Sequence, residues 1–379
     1  MNQRPRVTHV IDTSLPGGAQ VQLANLLRGL GQAFEFSVLV LGRRGPFSET
    51  WQDLGARVVT MGKAGSRWGL ESWQPLVRWL KQERPDLVHT HLFKSNILGA
   101  MAARQARLPF IIHDHSGLDR PGLAFYFPNP ITRLLYGMAY QRSLAGCRKL
   151  LTLTESMRQN VLKAWTIDQS KVAVLPNCID LEEFLAQART PVSDIRQELG
   201  LPQGTPLVSM VGRLAPEKDW TTFLQVAFMN PQLAFLAVGE GALEKTLKQE
   251  AHQSALDNLH FLGWRTDVPS LLAQSNAFLL TSRQEAFGIV LLEAMAAGCP
   301  VIATRTQGAE ALLQEGINGL LVPVSDVQGC HAALGRVMQE ASLANNLKKN
   351  ALSGLQAYDL QPICDRLATL YREILAEGT

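Results

Sequence analysis

Two successive runs of short apolar segments, each alternating with a helical pattern, constrain this 379-residue chain more than any other feature. The first run comprises VTHVID (7–12), EFSVLVL (35–41), ARVVTM (56–61), DLVHTH (86–91), PFIIHDH (109–115), KLLTLT (149–154) and KVAVLPN (171–177). The intervening segments are mostly long enough for crossover helices. Ala19 to Leu30, for example, carries Val21, Leu23, Leu26, Leu27 and Leu30 at helical spacing. Strand–helix–strand alternation builds a parallel sheet with helices on both faces. Residues 184–205 interrupt it with polar residues, two prolines and one helix-like piece. A second alternation then runs through PLVSMVG (206–212), LAFLAVG (233–239), NLHFLG (258–263), AFLLTS (277–282), PVIAT (300–304) and GLLVP (319–323). The expected fold is α/β, with two doubly wound domains joined near residue 184. A last helix, from about Gln361 to Leu375, aligns Ile363, Leu367, Leu370 and Ile374 in one apolar stripe.

Composition narrows the class. With 46% hydrophobic and 18% charged residues, the chain can bury sizeable cores and does not read as disordered. The five cysteines are odd in number and widely spaced, without a C-x-x-C pair, so neither a disulfide framework nor a zinc ribbon is expected. MNQRPRVTHVID lacks the apolar core of a signal peptide. The longest apolar stretch, 287–303, carries Glu293 and is short for a bilayer span. The expectation is a soluble, cytoplasmic protein that can rest on the inner face of the cell membrane.

Several constellations carry chemistry. TSRQEAFGIVLLEAMAAGCPVIA (281–303) reads as a strand end near Ser282, a polar turn, and a helix starting near Phe287. The free amides and partial positive charge of a helix start suit a phosphate, and Gly288 lets a ligand come close. Glu285 stands where open α/β sheets bind ligands. Glu293 has apolar neighbours on both sides in sequence, so it needs a partner such as a ligand hydroxyl. In VGRLAPEKDW (211–220) a strand ends at Gly212, and Arg213 and Lys218 follow in a loop. Forked and point cations suit a diphosphate, although Lys218 could equally bridge to Glu217 or Asp219. Gly17 and Gly18, in SLPGGAQ, again offer a helix start open to phosphate or sugar. VGEGALE (238–244) lacks the final glycine of a dinucleotide fingerprint, so a dehydrogenase is rejected. His89, His91, His113 and His115 form two H-x-H pairs, each with its rings on one strand face. A zinc hydrolase is the rival reading, but HTHLFK lacks the Asp of an H-x-H-x-D-H run.

Taken together, these motifs resemble the retaining glycosyltransferases of family 4. EAFGIVLLEAMAAGCPVIA is similar to the family's E-x7-E element, VGRLAPEKDW to its GRL…EK loop, and LPNCIDLEEF to its PNGID…F segment. VGEGALEKTL, FLGWRTDVPSLL and EALLQEGINGLLVP resemble further segments of its second domain. In the first half the likeness is confined to GGAQ, DLVHTH and the HDHS strand end. The resemblance implies the GT-B architecture: two Rossmann-like domains with a cleft between them, and a C-terminal helix crossing back. The implied bounds are 1–183 on the acceptor side, 184–357 for the nucleotide sugar, and 358–379 for the crossing helix. It further implies an NDP-sugar substrate, a UDP- or GDP-sugar first, with no cofactor and no metal. Arg213 and Lys218 would hold the diphosphate, Glu285 the sugar hydroxyls and Glu293 the ribose. The loop at Gly212 and the amides of Phe287, Gly288 and Ile289 would line the donor, with Gly17 and Gly18 on the N-domain side. His115, or in reserve His113, would reach the donor sugar. Cys178 replaces the usual Gly, Trp220 another Gly, and TQGAE (306–310) a Gly-Gly loop, which leaves the sugar open.

The expected activity is therefore sugar transfer from an NDP-sugar to a hydroxyl, in cell-surface polysaccharide, lipopolysaccharide or glycolipid assembly. A sugar-nucleotide epimerase or soluble-sugar synthase is the alternative enzyme, and a non-catalytic donor-binding subunit the alternative class. The net charge of +3 hides an asymmetry. Residues 1–180 hold 22 Lys/Arg against 12 Asp/Glu, a net of +10, and residues 181–379 hold 14 against 21, a net of −7. Arg120, Arg133, Arg142, Arg148 and Lys149 interleave with aromatics and leucines over 118–149. Such a segment could meet anionic lipid or a glycan or lipid-linked acceptor, or could be solvated faces over a buried core. Nucleic acid is not expected, since no module for it is present.

Overall fold

A computed structural model describes residues 4–61, 70–117, 123–124, 127–190 and 193–377. The chain forms two compact units: Met1–Cys178 with Leu360–Thr379, and Ile179–Asp359. Both are parallel, Rossmann-like sheets flanked by helices.

The first unit contains β1 (Arg6–Ile11), β2 (Glu35–Val40), β3 (Arg57–Thr60), β4 (Leu87–His91), β5 (Phe110–Asp114), β6 (Lys149–Thr152) and β7 (Val172–Val174). Their spatial order is β3-β2-β1-β4-β5-β6-β7, all parallel. One face packs the helix Gly18–Leu30 through Leu23 and Leu27; the other packs Leu80, Ala103, Tyr140 and Leu144. The terminal helix Leu360–Ala376 belongs to this unit and buries Ile363, Cys364, Leu367, Ala368, Tyr371 and Ile374. Leu370, expected on that stripe, is only partly buried, because Tyr371 takes the inward position. Gly29 leaves room for Cys364, so the two helices approach closely.

The second unit contains β8 (Leu207–Val211), β9 (Ala234–Val238), β10 (Leu259–Gly263), β11 (Ala277–Leu280), β12 (Val301–Thr304) and β13 (Leu320–Val322). Their order is β10-β9-β8-β11-β12-β13. The helix Leu181–Arg189 packs on Val268–Gln274 within this unit, so the chain divides a few residues before position 184. Every strand expected from an apolar run is present, because continuous apolar segments are what a doubly covered parallel sheet requires. The helix expected near Phe287 begins at Ile289, since Gly288 takes a left-handed conformation (φ 84°) and ends the turn instead. All five cysteines are buried thiols outside any disulfide.

Candidate functional site

In the second unit the strand order reverses between β8 and β11, which are neighbours. Open α/β sheets bind ligands at the carboxyl ends of the strands flanking such a switch point. The two segments leaving those ends are 212–219 and 281–288, which contain Arg213, Lys218 and Glu285. Backbone bonds tie them together: the amides of Arg283 and Gln284 donate to Glu217 O at 2.8 and 3.3 Å. Thr281 Oγ1 donates to the carbonyls of Lys218 and Asp219 at 3.1 and 2.9 Å.

Lys218 Nζ forms a hydrogen-bonded ion pair with Glu285 Oε2, and both side chains are only 14% exposed. The pair replaces the expected alternatives. Arg213 pairs with Glu217 at 2.6 Å and stays 60% exposed, while buried Asp219 pairs with Arg283 at 3.1 Å. Trp220, buried, donates its indole N–H to Arg213 O at 2.8 Å and so braces the loop. A β-carbon on Gly239 would lie 2.0 Å from Gly212 O, so the VGEG glycines serve close loop packing, not a dinucleotide.

At the start of the helix Ile289–Ala296 no side chain caps the backbone. Its first amides are therefore open to an anion. Phe287 is buried, and Gly308 packs directly on its backbone: a β-carbon there would lie 2.5 Å from Phe287 N. The single glycine of TQGAE thus does the packing. The Gly308 amide also donates to Glu285 O at 2.7 Å, holding the residue that pairs with Lys218. Glu293 is partly open at its surface, yet its carboxyl is desolvated and its pKa rises from 4.5 to about 7.

In the first unit the switch point falls between β1 and β4. The helix Phe93–Ala106 beginning there is already capped, because Asp12 accepts from the amides of Lys94 (3.2 Å) and Ser95 (2.6 Å) and from Ser95 Oγ (2.6 Å). Sequence reasoning missed Asp12. Gly17 and Gly18 open the helix Gly18–Leu30, which likewise has no side-chain cap.

The histidines form one cluster, and His9, also missed, joins it. Register pairs His9 with His89 and His91 with His113, so the rings share one sheet face. His9 Nδ1 bonds His91 Nε2 at 2.8 Å, and His91 Nδ1 bonds His115 Nε2 at 3.0 Å. His89 Nδ1 bonds Tyr371 Oη at 2.5 Å. Burial lowers all five pKa values, those of His9 and His113 to about 3, with the Leu175 backbone opposing the shift at His113. His9 Nε2, His89 Nε2, His115 Nδ1 and both nitrogens of His113 lack a well-formed hydrogen bond.

The basic residues of 118–149 do not make one patch. Arg120 lies outside the described residues. The helix Pro130–Leu144 exposes Ile131 (68%), Leu134 (64%), Leu135 (57%) and Met138 (61%). Arg142 continues that stripe at helical spacing, whereas Arg133 falls on the opposite side, near buried Tyr140. Arg148 pairs with Glu377 at 3.5 Å, and Lys149 donates to Ser170 O at 2.9 Å. A cavity of about 930 Å³ at the amino-terminal ends of the strands is lined by Arg84, Asp86, Arg104, Arg107, Arg148 and Lys171 among others. Arg84, Arg104 and Arg107 sit at helix carboxyl ends, where they complement the dipole. No described helix is long and apolar enough to cross a membrane.

A Rossmann-like pair with a cation–carboxylate site at the switch point suits an enzyme with a phosphorylated substrate, and comparison with known proteins gives the class. Residues 16–183 match the family described as Glycosyltransferase Family 4, and residues 192–353 match Glycosyl transferases group 1. The chain belongs to the family 4 glycosyltransferases. It is 29% identical, over 81% of its length and 80% of the relative's, to an Escherichia coli UDP-Gal:alpha-D-GlcNAc-diphosphoundecaprenol alpha-1,3-galactosyltransferase. It is 26% identical, over 96% and 92%, to a phosphatidyl-myo-inositol mannosyltransferase of Mycolicibacterium smegmatis. Among solved structures, Anabaena HepE in complex with UDP and glucose has a TM-score of 0.82 at 21% identity, covering 98% of this chain and all of that one. WaaG, a glycosyltransferase involved in lipopolysaccharide biosynthesis, has a TM-score of 0.76 at 19% identity, covering 96% and 99%. These neighbours have the GT-B fold.

Proposed function

We propose that the protein moves a sugar from a UDP-sugar to a hydroxyl of a lipid-linked or polysaccharide acceptor, with retention of anomeric configuration. The observation that carries this reading is the Lys218–Glu285 pair at the switch point, beside an uncapped helix start at Gly288. A donor diphosphate competes for Lys218 and draws Arg213 from its exposed pairing with Glu217. Glu285, released from Lys218, then accepts hydrogen bonds from the sugar hydroxyls. The two cations and the helix amides stabilise charge as the diphosphate departs. The acceptor attacks the same face, and a leaving-group oxygen takes its proton. Glu293 receives the ribose hydroxyls. The cations Arg213 and Lys218 supply the charge a catalytic metal would otherwise bring. The relative that uses UDP-Gal and the neighbour bound to UDP and glucose support a UDP donor over GDP.

The acceptor side rests on the helix Pro130–Leu144. Four large apolar side chains in one stripe, with Arg142 at its end, support docking on anionic lipid in a unit of strongly basic sequence. Two of the relatives named above use lipid acceptors by name, diphosphoundecaprenol and phosphatidylinositol. The proposed location is the cytoplasmic face of the membrane.

Incubation with UDP-, GDP- and ADP-sugars, with and without a diphosphoundecaprenol-linked acceptor, tests the reading. Acceptor-dependent release of UDP and an α-linked product from an α-donor are expected. Interconversion of free sugar nucleotides would favour an epimerase. Binding without turnover under every condition would favour a non-catalytic subunit.

A further inference from the structure

The histidine cluster has a property the transfer reaction does not use. His113 lies on β5 and His115 just past its end, and His91 is the register partner of His113 on the neighbouring strand. One ring nitrogen from each of His91, His113 and His115 lies within 4.8 Å of the other two. We propose that His91, His113 and His115 form a binding site for a divalent transition metal of the zinc class, held within the first unit.

Three observations support this. First, the donor set is right. A hydrogen bond between two ring nitrogens needs one of them to offer a lone pair, so the His91–His115 contact already contains a neutral imidazole. Three imidazoles with a fourth position open are a known zinc arrangement, and a set without a carboxylate disfavours magnesium or calcium.

Second, one of the three spacings is nearly that of a bound ion, and the other two lie within 4.8 Å. Two ligands about 2.0–2.1 Å from a tetrahedral ion lie about 3.3 Å apart. His91 Nδ1 and His115 Nε2 stand 3.0 Å apart, so an ion could replace their shared proton with a shift of a few tenths of an ångström. Third, an outer partner is in place. If His91 Nδ1 takes the metal, its Nε2–H donates to His9 Nδ1 at 2.8 Å, which fixes tautomer and ring orientation. A metal would also give a direct partner to His113, whose buried nitrogens make no well-formed hydrogen bond and whose ring is influenced by the Leu175 backbone.

The site involves no residue of the second unit, but His115 is also the residue expected to reach the donor sugar, so metal uptake is measured directly and not through turnover. The full-length protein, stripped with chelator, is titrated with Co2+ and, separately, with Zn2+. One Co2+ per chain is expected, with the strong visible absorption of a low-coordinate ion, and Zn2+ should displace it. His113→Ala should abolish stoichiometric uptake. His9→Phe, which keeps all three ligands, should weaken it about 10–100-fold. Copper-loaded wild type should show nitrogen hyperfine splitting from imidazoles, a readout that needs no variant. No stoichiometric uptake by the wild-type protein, or uptake unchanged in His113→Ala, overturns the proposal.

Discussion

The Lys218 ammonium and the Glu285 carboxylate, separated by 67 residues in sequence, form one largely buried ion pair. Neither can be removed without leaving the other uncompensated, and neither is free to meet a ligand until something replaces its partner. A substrate that carries both a diphosphate and sugar hydroxyls offers a replacement for each.

Lys218→Ala should therefore lower kcat by about 100–1000-fold, the usual scale for losing one transition-state charge donor. The dissociation constant of UDP should move by far less. Steady-state kinetics and calorimetric UDP titration check this, and near-normal turnover would remove Lys218 from the chemistry.

Gly288 holds φ at +84°, and a β-carbon there would lie 3.0 Å from Leu291 Cδ1 and 3.1 Å from Glu285 Cγ. Gly288→Ala should cost about 1–2 kcal/mol in backbone strain alone. It should also displace Glu285, so donor affinity falls together with melting temperature. A variant that melts like the wild type would show that the turn relaxes.

Glu293 titrates near 7 in the folded protein because burial disfavours its charge. A carboxyl with a raised folded pKa contributes stability that is complete below its unfolded pKa and lost as pH rises through the folded one. Stability should thus decline between about pH 4.5 and 7, by an amount on the order of 1–3 kcal/mol for this group. Glu293→Gln should flatten that part of the profile. Denaturant midpoints measured every half pH unit for both proteins decide the matter.

Leu134→Glu combined with Met138→Glu should abolish sedimentation with anionic liposomes at low salt. Both positions are highly exposed, so melting temperature should stay within about a degree or two, as for most surface changes. Unchanged liposome binding would take the apolar stripe out of the docking surface.

Tyr371 donates or accepts the 2.5 Å hydrogen bond with buried His89 and anchors the terminal helix. Tyr371→Phe leaves His89 without any partner and should cost about 1–3 kcal/mol. Thermal melting of the full chain gives the readout.

The strands and the break between the two runs were legible because each depends on local pattern: a strand covered on both faces needs a continuous apolar run, wherever its neighbours lie. The identities of Arg213, Lys218 and Glu285 were legible too, since each stands beside a recognisable strand end. Their pairing was not. Sequence offered Glu217 and Asp219 as partners for Lys218, and the fold instead gives Glu217 to Arg213 and Asp219 to Arg283. His9 carried no H-x-H signal, and Asp12 closed the VTHVID run with no visible task.

Sequence alone determined that this chain makes two doubly wound parallel sheets with a cationic and a carboxylate segment after the same kind of strand end. Tertiary structure decided which side chains meet. Placing β8 beside β11 brings Lys218 to Glu285, and placing β4 between β1 and β5 gathers five imidazoles on one face. Strand order is set by packing across the whole sheet, and no local periodicity encodes it.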